Sequence, residues 1–144
     1  MKRNILKFAI IIPVFAGLCM LASAKNEKKD KKTAPEITTE NNISIDKAVH
    51  DFGTVKESDG DVSAIFTVTN NSGQPVVLQN VKASCGCTTP SYTKEPIAVK
   101  KSGEVKATYS TKGRPGPFEK TVTITIAEGD KTETVQVKIK GTVE

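Results

Sequence analysis

The stretch Val62-Ser63-Ala64-Ile65-Phe66-Thr67-Val68-Thr69 alternates apolar and polar side chains and runs into Asn70-Asn71-Ser72-Gly73. Successive side chains of an extended chain point to opposite faces, so Val62, Ala64, Phe66 and Val68 share one face, and the polar quartet turns the chain. The same period recurs outward from this stretch. Val105, Ala107 and Tyr109 share a face of Glu104 to Tyr109; Val122, Ile124 and Ile126 alternate with Thr121, Thr123 and Thr125. In Thr134 to Val143, Val135, Val137 and Ile139 alternate with Gln136, Lys138 and Lys140, and lysines in that pattern suit an edge strand. Val76 to Ala83 and a short Ile97 to Val99 add two strands. Ile43 to Asp46 with Val49 to Phe52 read as a first, broken strand that Gly53 and Asp59-Gly60-Asp61 close with a turn. No 3.6-residue period holds after residue 42, and threonine and valine stand where a helix would favour leucine and alanine. The pattern predicts an all-β, antiparallel sandwich of about seven strands. Its core is expected around Phe52, Phe66, Leu78, Tyr109 and Phe118.

Residues 1–24 carry the three parts of a secretory leader: Lys2, Arg3 and Lys7, an apolar run from Phe8 to Leu21, and Ala22-Ser23-Ala24 as a cleavage pattern. The run is shorter than the roughly 20 residues a bilayer core needs and contains Pro13, which disfavours an anchor helix. Leu18 stands where a lipoprotein signal needs a small residue, so Cys19 reads as filler rather than an acylation site. The expectation is an exported chain starting near Lys25, periplasmic in a Gram-negative host, otherwise secreted or surface-associated, and without a transmembrane segment once mature. Losing three of the 21 basic residues leaves 18 against 16 acidic, and the formal charge of +5 falls to +2. Residues 25–42 are charged, lysine-rich and almost devoid of apolar side chains, the composition of a disordered tether. Acids interleaved with those lysines and the absence of stacking aromatics argue against nucleic acid as a partner. Residues 43–144, about 100 in all, suffice for one hydrophobic core.

Four separated strings carry a resemblance: His50-Asp51-Phe52-Gly53; Phe66-Thr67-Val68-Thr69-Asn70-Asn71-Ser72-Gly73; Ser84-Cys85-Gly86-Cys87-Thr88; and Gly116-Pro117-Phe118-Glu119-Lys120. In this order they resemble the bacterial domain of unknown function family 1573, over essentially all of residues 43–144. The resemblance implies an immunoglobulin-like sandwich, of the broad group that includes pilus-chaperone-like and major-sperm-protein-like domains, exported by bacteria. It implies no activity.

Cys85 and Cys87 are the chemically informative pair, because exported thiols meet an oxidising environment. Residues two apart on a strand lie near the upper limit of disulfide geometry, so bridging them requires a bend at Gly86. A closed loop this short contributes only about 1.6 kcal/mol by the chain-entropy estimate. Three readings stand: an element that shapes the loop into Thr88-Thr89-Pro90, a redox couple exchanging with a partner, or a soft-metal site. For the last, two thiolates suit copper as Cu(I) better than zinc, with His50 as the available third ligand. His50 neighbours Asp51, but adjacent strand residues face opposite sides, so the two are not a base and its orienter by adjacency. No residue is assigned a catalytic role: Ser84 and Ser91 lack a nucleophile-elbow context, and no phosphate loop or zinc-protease motif occurs. The expected function is a non-enzymatic, exported module that binds another envelope protein or has a structural role. Partners could engage by strand addition or through the Cys85 and Gly113–Pro117 loops. The alternative is a thiol redox or Cu(I)-handling envelope protein.

Overall fold

The computed structural model describes residues 35–144; the leader, Cys19 and most of the expected tether lie outside the described residues. The strands are β1 (Ile37–Thr38), β2 (Ile43–Ile45), β3 (Val49–Val55), β4 (Val62–Asn70), β5 (Val77–Ala83), β6 (Thr88–Tyr92), β7 (Ser102–Tyr109), β8 (Gly116–Glu128) and β9 (Lys131–Val143). One five-stranded sheet has the order β1-β2-β4-β7-β6, and a four-stranded sheet the order β3-β9-β8-β5. Every neighbouring pair is antiparallel except β3 with β9, which is parallel. A single 3-10 turn, Glu57–Asp59, is the helical element among the described residues.

The alternation read in the sequence places the core. Ala64, Phe66 and Val68 of β4, Val105, Ala107 and Tyr109 of β7, Val122, Ile124 and Ile126 of β8, and Val135, Val137 and Ile139 of β9 are all buried between the sheets. Leu78 and Phe118 join them, whereas Phe52 is half-buried and packs against the margin of this cluster.

Several elements differ from the sequence reading. The first strand is broken because the chain changes sheets between Ile45 and Val49, so β2 and β3 belong to different layers. Gly53 does not close a turn: it sits inside β3 at φ 65°, where the register with β9 shifts between Asp51 and Thr54. That conformation is open to glycine and makes the position a bulge. β9 is no edge, since β3 covers its free side; its lysines face solvent, where Lys138 pairs with Glu119 at 2.8 Å and Lys140 with Asp51 at 3.1 Å. Around Ile97 only an isolated bridge to Val76 forms, and the strand lies earlier, at Thr88–Tyr92. Pro90 masks that strand in the sequence. The ladder explains why it is tolerated: Ser110 N–H donates to the Cys87 carbonyl and Thr93 N–H to the Glu104 carbonyl, so Cys87, Thr89, Ser91 and Thr93 turn their backbone groups to β7. Pro90 lies in the alternate register, and its missing N–H faces away from the sheet. Within the stretch expected to be tether, Ile37–Thr38 pairs with β2, and the Pro35 carbonyl accepts from Ala48 N–H at 2.8 Å.

The sheet margins share one property. β1 is two residues long, β3 is bulged at Gly53, β5 is bulged between Leu78 and Asn80, and β6 carries Pro90 on its free side. Short, bulged or proline-bearing edges are devices that resist pairing with a further strand.

Candidate functional site

β5 ends at Ala83 in one sheet and β6 begins at Thr88 in the other, so Ser84-Cys85-Gly86-Cys87 is a corner between the layers. Backbone bonds fix it on both sides. Ser84 N–H donates to the Thr121 carbonyl at 2.9 Å, and Thr121 N–H donates back to Ser84 Oγ at 3.2 Å. Cys87 is held by Ser110 N–H, and Thr88 N–H reaches the Cys85 carbonyl at 3.3 Å, closing a tight turn. The bend brings the Cα atoms of Cys85 and Cys87 to 5.3 Å and their sulfurs to disulfide distance. Gly86 is exposed, its φ is not positive, and a Cβ there would meet nothing within 4 Å. The bend therefore uses no conformation reserved for glycine, contrary to the sequence reading.

The two sulfurs have different surroundings. Cys87 packs against the hydrophobic core, whereas Cys85 Sγ lies 3.8 Å from the hydroxyl of Thr88, itself only 3% exposed. Both cysteines are half-buried.

His50 lies elsewhere, in β3 opposite Ile139. Its ring meets Phe52 edge-on at 4.5 Å between centroids; Phe52 lies 6.2 Å from Phe118, and Phe118 stacks on Tyr109 at 3.9 Å. Asp51 turns away, accepting Gly53 N–H at 2.8 Å and pairing with Lys140. That backbone bond, followed by the lysine, holds its carboxyl below the usual value, as Lys138 does for Glu119. Among the described residues, no three His, Cys, Asp or Glu side chains are grouped so as to hold a metal ion, and His50 is not brought to the cysteine pair.

Three of the four motif strings nonetheless converge on one end of the sandwich. β3 and the start of β8 flank the last residues of β9; Ser84 bonds Thr121; and Thr88 pairs with Tyr109, the residue that stacks on Phe118. A shallow cleft on this end is lined by Asp51, Gly53 and Thr54 of β3, Pro117, Phe118 and Glu119 of β8, and Lys140, Gly141 and Thr142 of β9. A Cβ at Gly141 would stand 2.9 Å from the Gly53 carbonyl oxygen and 3.0 Å from the Phe118 ring, which explains the glycine. Sequence reasoning missed Thr88 and Gly141. Thr88 stood in the motif and in the loop expected after it, but its contact with sulfur depends on the corner; Gly141 gave no local signal.

The fourth string serves the opposite end. Asn70 is fully buried at the end of β4. Its side-chain amide donates to the carbonyls of Gln74 and Ile97, both at 2.9 Å, and its Oδ1 accepts from Ser72 N–H at 2.9 Å and Ser72 Oγ at 2.7 Å.

Residues 43–143 match the family described as "Protein of unknown function (DUF1573)". The chain belongs to the DUF1573 family. No curated protein matches this DUF1573 chain. Among solved structures it is similar to the Vibrio cholerae VesB protease, with a TM-score of 0.60 and 18% identity over 71% of this chain and 32% of that one. A protein of unknown function from Porphyromonas gingivalis W83 gives 0.57 and 11% over 81% of this chain and 51% of that one. The YadV chaperone gives 0.53 and 13% over 71% and 52%. The chain spans about a third to a half of these proteins, and at such identities the likeness shows the fold, a β-sandwich. No helix among the described residues is long and apolar enough to cross a membrane.

Proposed function

We propose that this DUF1573 domain is a non-enzymatic binding module of the bacterial cell envelope, exported by its leader, that grips another envelope protein with the end carrying the cysteine corner. The observation that carries this reading is the convergence there of three separated motif strings around an exposed turn and an open cleft. Loops held on a rigid scaffold are where recognition residues concentrate. The loop after Tyr109 lies on the same end: Thr111 Oγ donates to the Gly60 carbonyl, and Gly113 N–H to Glu57 Oε1, leaving Lys112 and Arg114 exposed. Guarded margins favour this mode over strand addition. The likeness to a chaperone supports a protein partner by analogy of fold alone.

Photoreactive side chains placed at exposed positions on either end test the reading. In the host envelope, probes at Gly86 and Arg114 are expected to give discrete cross-linked species that probes at Gly73 and Asp130 do not. Equal cross-linking from both ends, or none from either, sinks it.

A further inference from the structure

We infer that Cys85 and Cys87 form a thiol–disulfide exchange site for a dithiol protein, with Cys85 as the interchange sulfur, Cys87 as the resolving sulfur, and Thr88 as a positioning residue.

The corner does not depend on the sulfur bridge. Thr121, Ser110 and the Cys85 carbonyl hold residues 84, 87 and 88 through backbone and hydroxyl contacts that involve neither sulfur. A pair that can open and close without moving its frame is suited to exchange, whereas a pair that clamps an otherwise loose segment is not. The surroundings then separate the sulfurs. Cys87, half-buried, lies against the apolar core, where a thiolate is disfavoured. Cys85 has the Thr88 hydroxyl 3.8 Å from Sγ, and a donor there favours the charged form of the thiol. A thiol that exists more often as thiolate at ambient pH attacks faster.

The exchange balances as follows. A partner thiolate attacks Cys85 Sγ; the new S–S bond forms as the Cys85–Cys87 bond breaks, and Cys87 Sγ takes the electron pair together with the proton of the partner's second thiol, so that no thiolate persists against the core. The partner's second thiol, deprotonated, attacks its own sulfur in the mixed disulfide and expels Cys85 as a thiolate facing the Thr88 hydroxyl. The partner dithiol is oxidised by two electrons and this pair is reduced by two. In reverse, Cys85 thiolate attacks a partner disulfide and Cys87 resolves the intermediate.

The inference rests on the binding reading only in placing the partner at this end. The test uses the chain from Lys25, without the leader and its Cys19, and glutathione as the probe. Against oxidised glutathione, Cys87→Ser, which keeps Cys85, is expected to form its mixed disulfide about twofold faster near neutral pH than Cys85→Ser, with a lower pH midpoint. Thr88→Val should raise the midpoint of Cys85, and Thr88→Ser should restore it. Circular dichroism of each variant confirms that it remains folded, and Thr88→Ser supplies the comparison if the valine variant does not. Equal rates and midpoints for the two cysteines, or a wild-type pair that dithiothreitol reduces only on unfolding, overturn the inference. Cross-links at Gly86 without this asymmetry leave the binding reading standing; the asymmetry without cross-links does the opposite.

Discussion

The chain crosses from one sheet to the other at both ends of β5, and the two corners are built by opposite means. At its start, Asn70 is fully buried and one side-chain amide holds the Gln74 and Ile97 carbonyls and both donors of Ser72. At its end, Ser84 to Thr88 is held by backbone bonds and the Ser84 hydroxyl, with no hydrogen bond from a cysteine side chain to β7 or β8. A corner that depends on a side chain spends that side chain on the fold. A corner that depends on the ladder leaves its side chains available for chemistry, and this is why the cysteine end, rather than the asparagine end, is the candidate site.

The comparison breaks most visibly at Asn70. Asn70→Ala removes four buried hydrogen bonds: the Gln74 and Ile97 carbonyls keep only Ser72 Oγ and Val76 N–H, and the Ser72 N–H loses its acceptor, so a loss of about 3 kcal/mol is expected in urea unfolding. A loss below 1 kcal/mol, on the order of one ordinary exposed hydrogen bond, would mean that the corner is held otherwise. Next comes Gly141→Ala, which pushes a methyl into the Phe118 ring and the Gly53 carbonyl and should cost about 2 kcal/mol, shown by a lower denaturant midpoint. It tests whether the floor beneath the cysteine end is as tightly fitted as the opposite corner. The double change Cys85→Ser with Cys87→Ser is expected to cost no more than about 1.6 kcal/mol and to leave the circular dichroism spectrum unchanged. Unfolding on that change would show the pair to be a structural clamp. Gly86→Ala sits at the small end, within about 0.5 kcal/mol of the parent, because its φ is not positive and a Cβ meets open space.

Acid titration sharpens the picture at the cleft. The folded-state carboxyl of Asp51 lies below its ordinary value of 3.8, through the Gly53 N–H first and Lys140 second. Such a group adds stability above its unfolded pKa and loses it as pH falls through the lower folded value. Below pH 3.8, Asp51→Asn should therefore lose less stability on acidification than the parent, in unfolding midpoints measured across that range. Parallel acid limbs for the two proteins would show that the contact contributes nothing in solution.

Much of this was legible before any coordinates. Alternation within residues 62–69, 104–109, 118–126 and 134–143 located the four long strands and their buried faces, because side-chain direction on a strand is fixed by parity. Thr88–Tyr92 was hidden by Pro90, whose harm depends on which way its nitrogen faces, and only the pairing with β7 settles that. Lys138 and Lys140 looked like edge residues because solvent exposure of a face and exposure of a margin leave the same lysine pattern; β3 covers the margin from more than 80 residues away in sequence, as the pairing of Val49 with Lys138 shows. Of the site, the cysteine pair itself was plain, but the Thr88 hydroxyl beside Cys85 and the core against Cys87 were not.

The sequence by itself determined the all-β class, the inward faces, the turn at Asn70 and the likeness to the DUF1573 family, since each depends on residues adjacent or alternate along the chain. Tertiary structure alone decided the sheet order, the parallel partner of β9, the convergence of distant motifs on one end and the unequal surroundings of two cysteines only two residues apart. Those depend on which strand lies beside which, and long-range pairing is settled by burial of the whole core rather than by any local pattern.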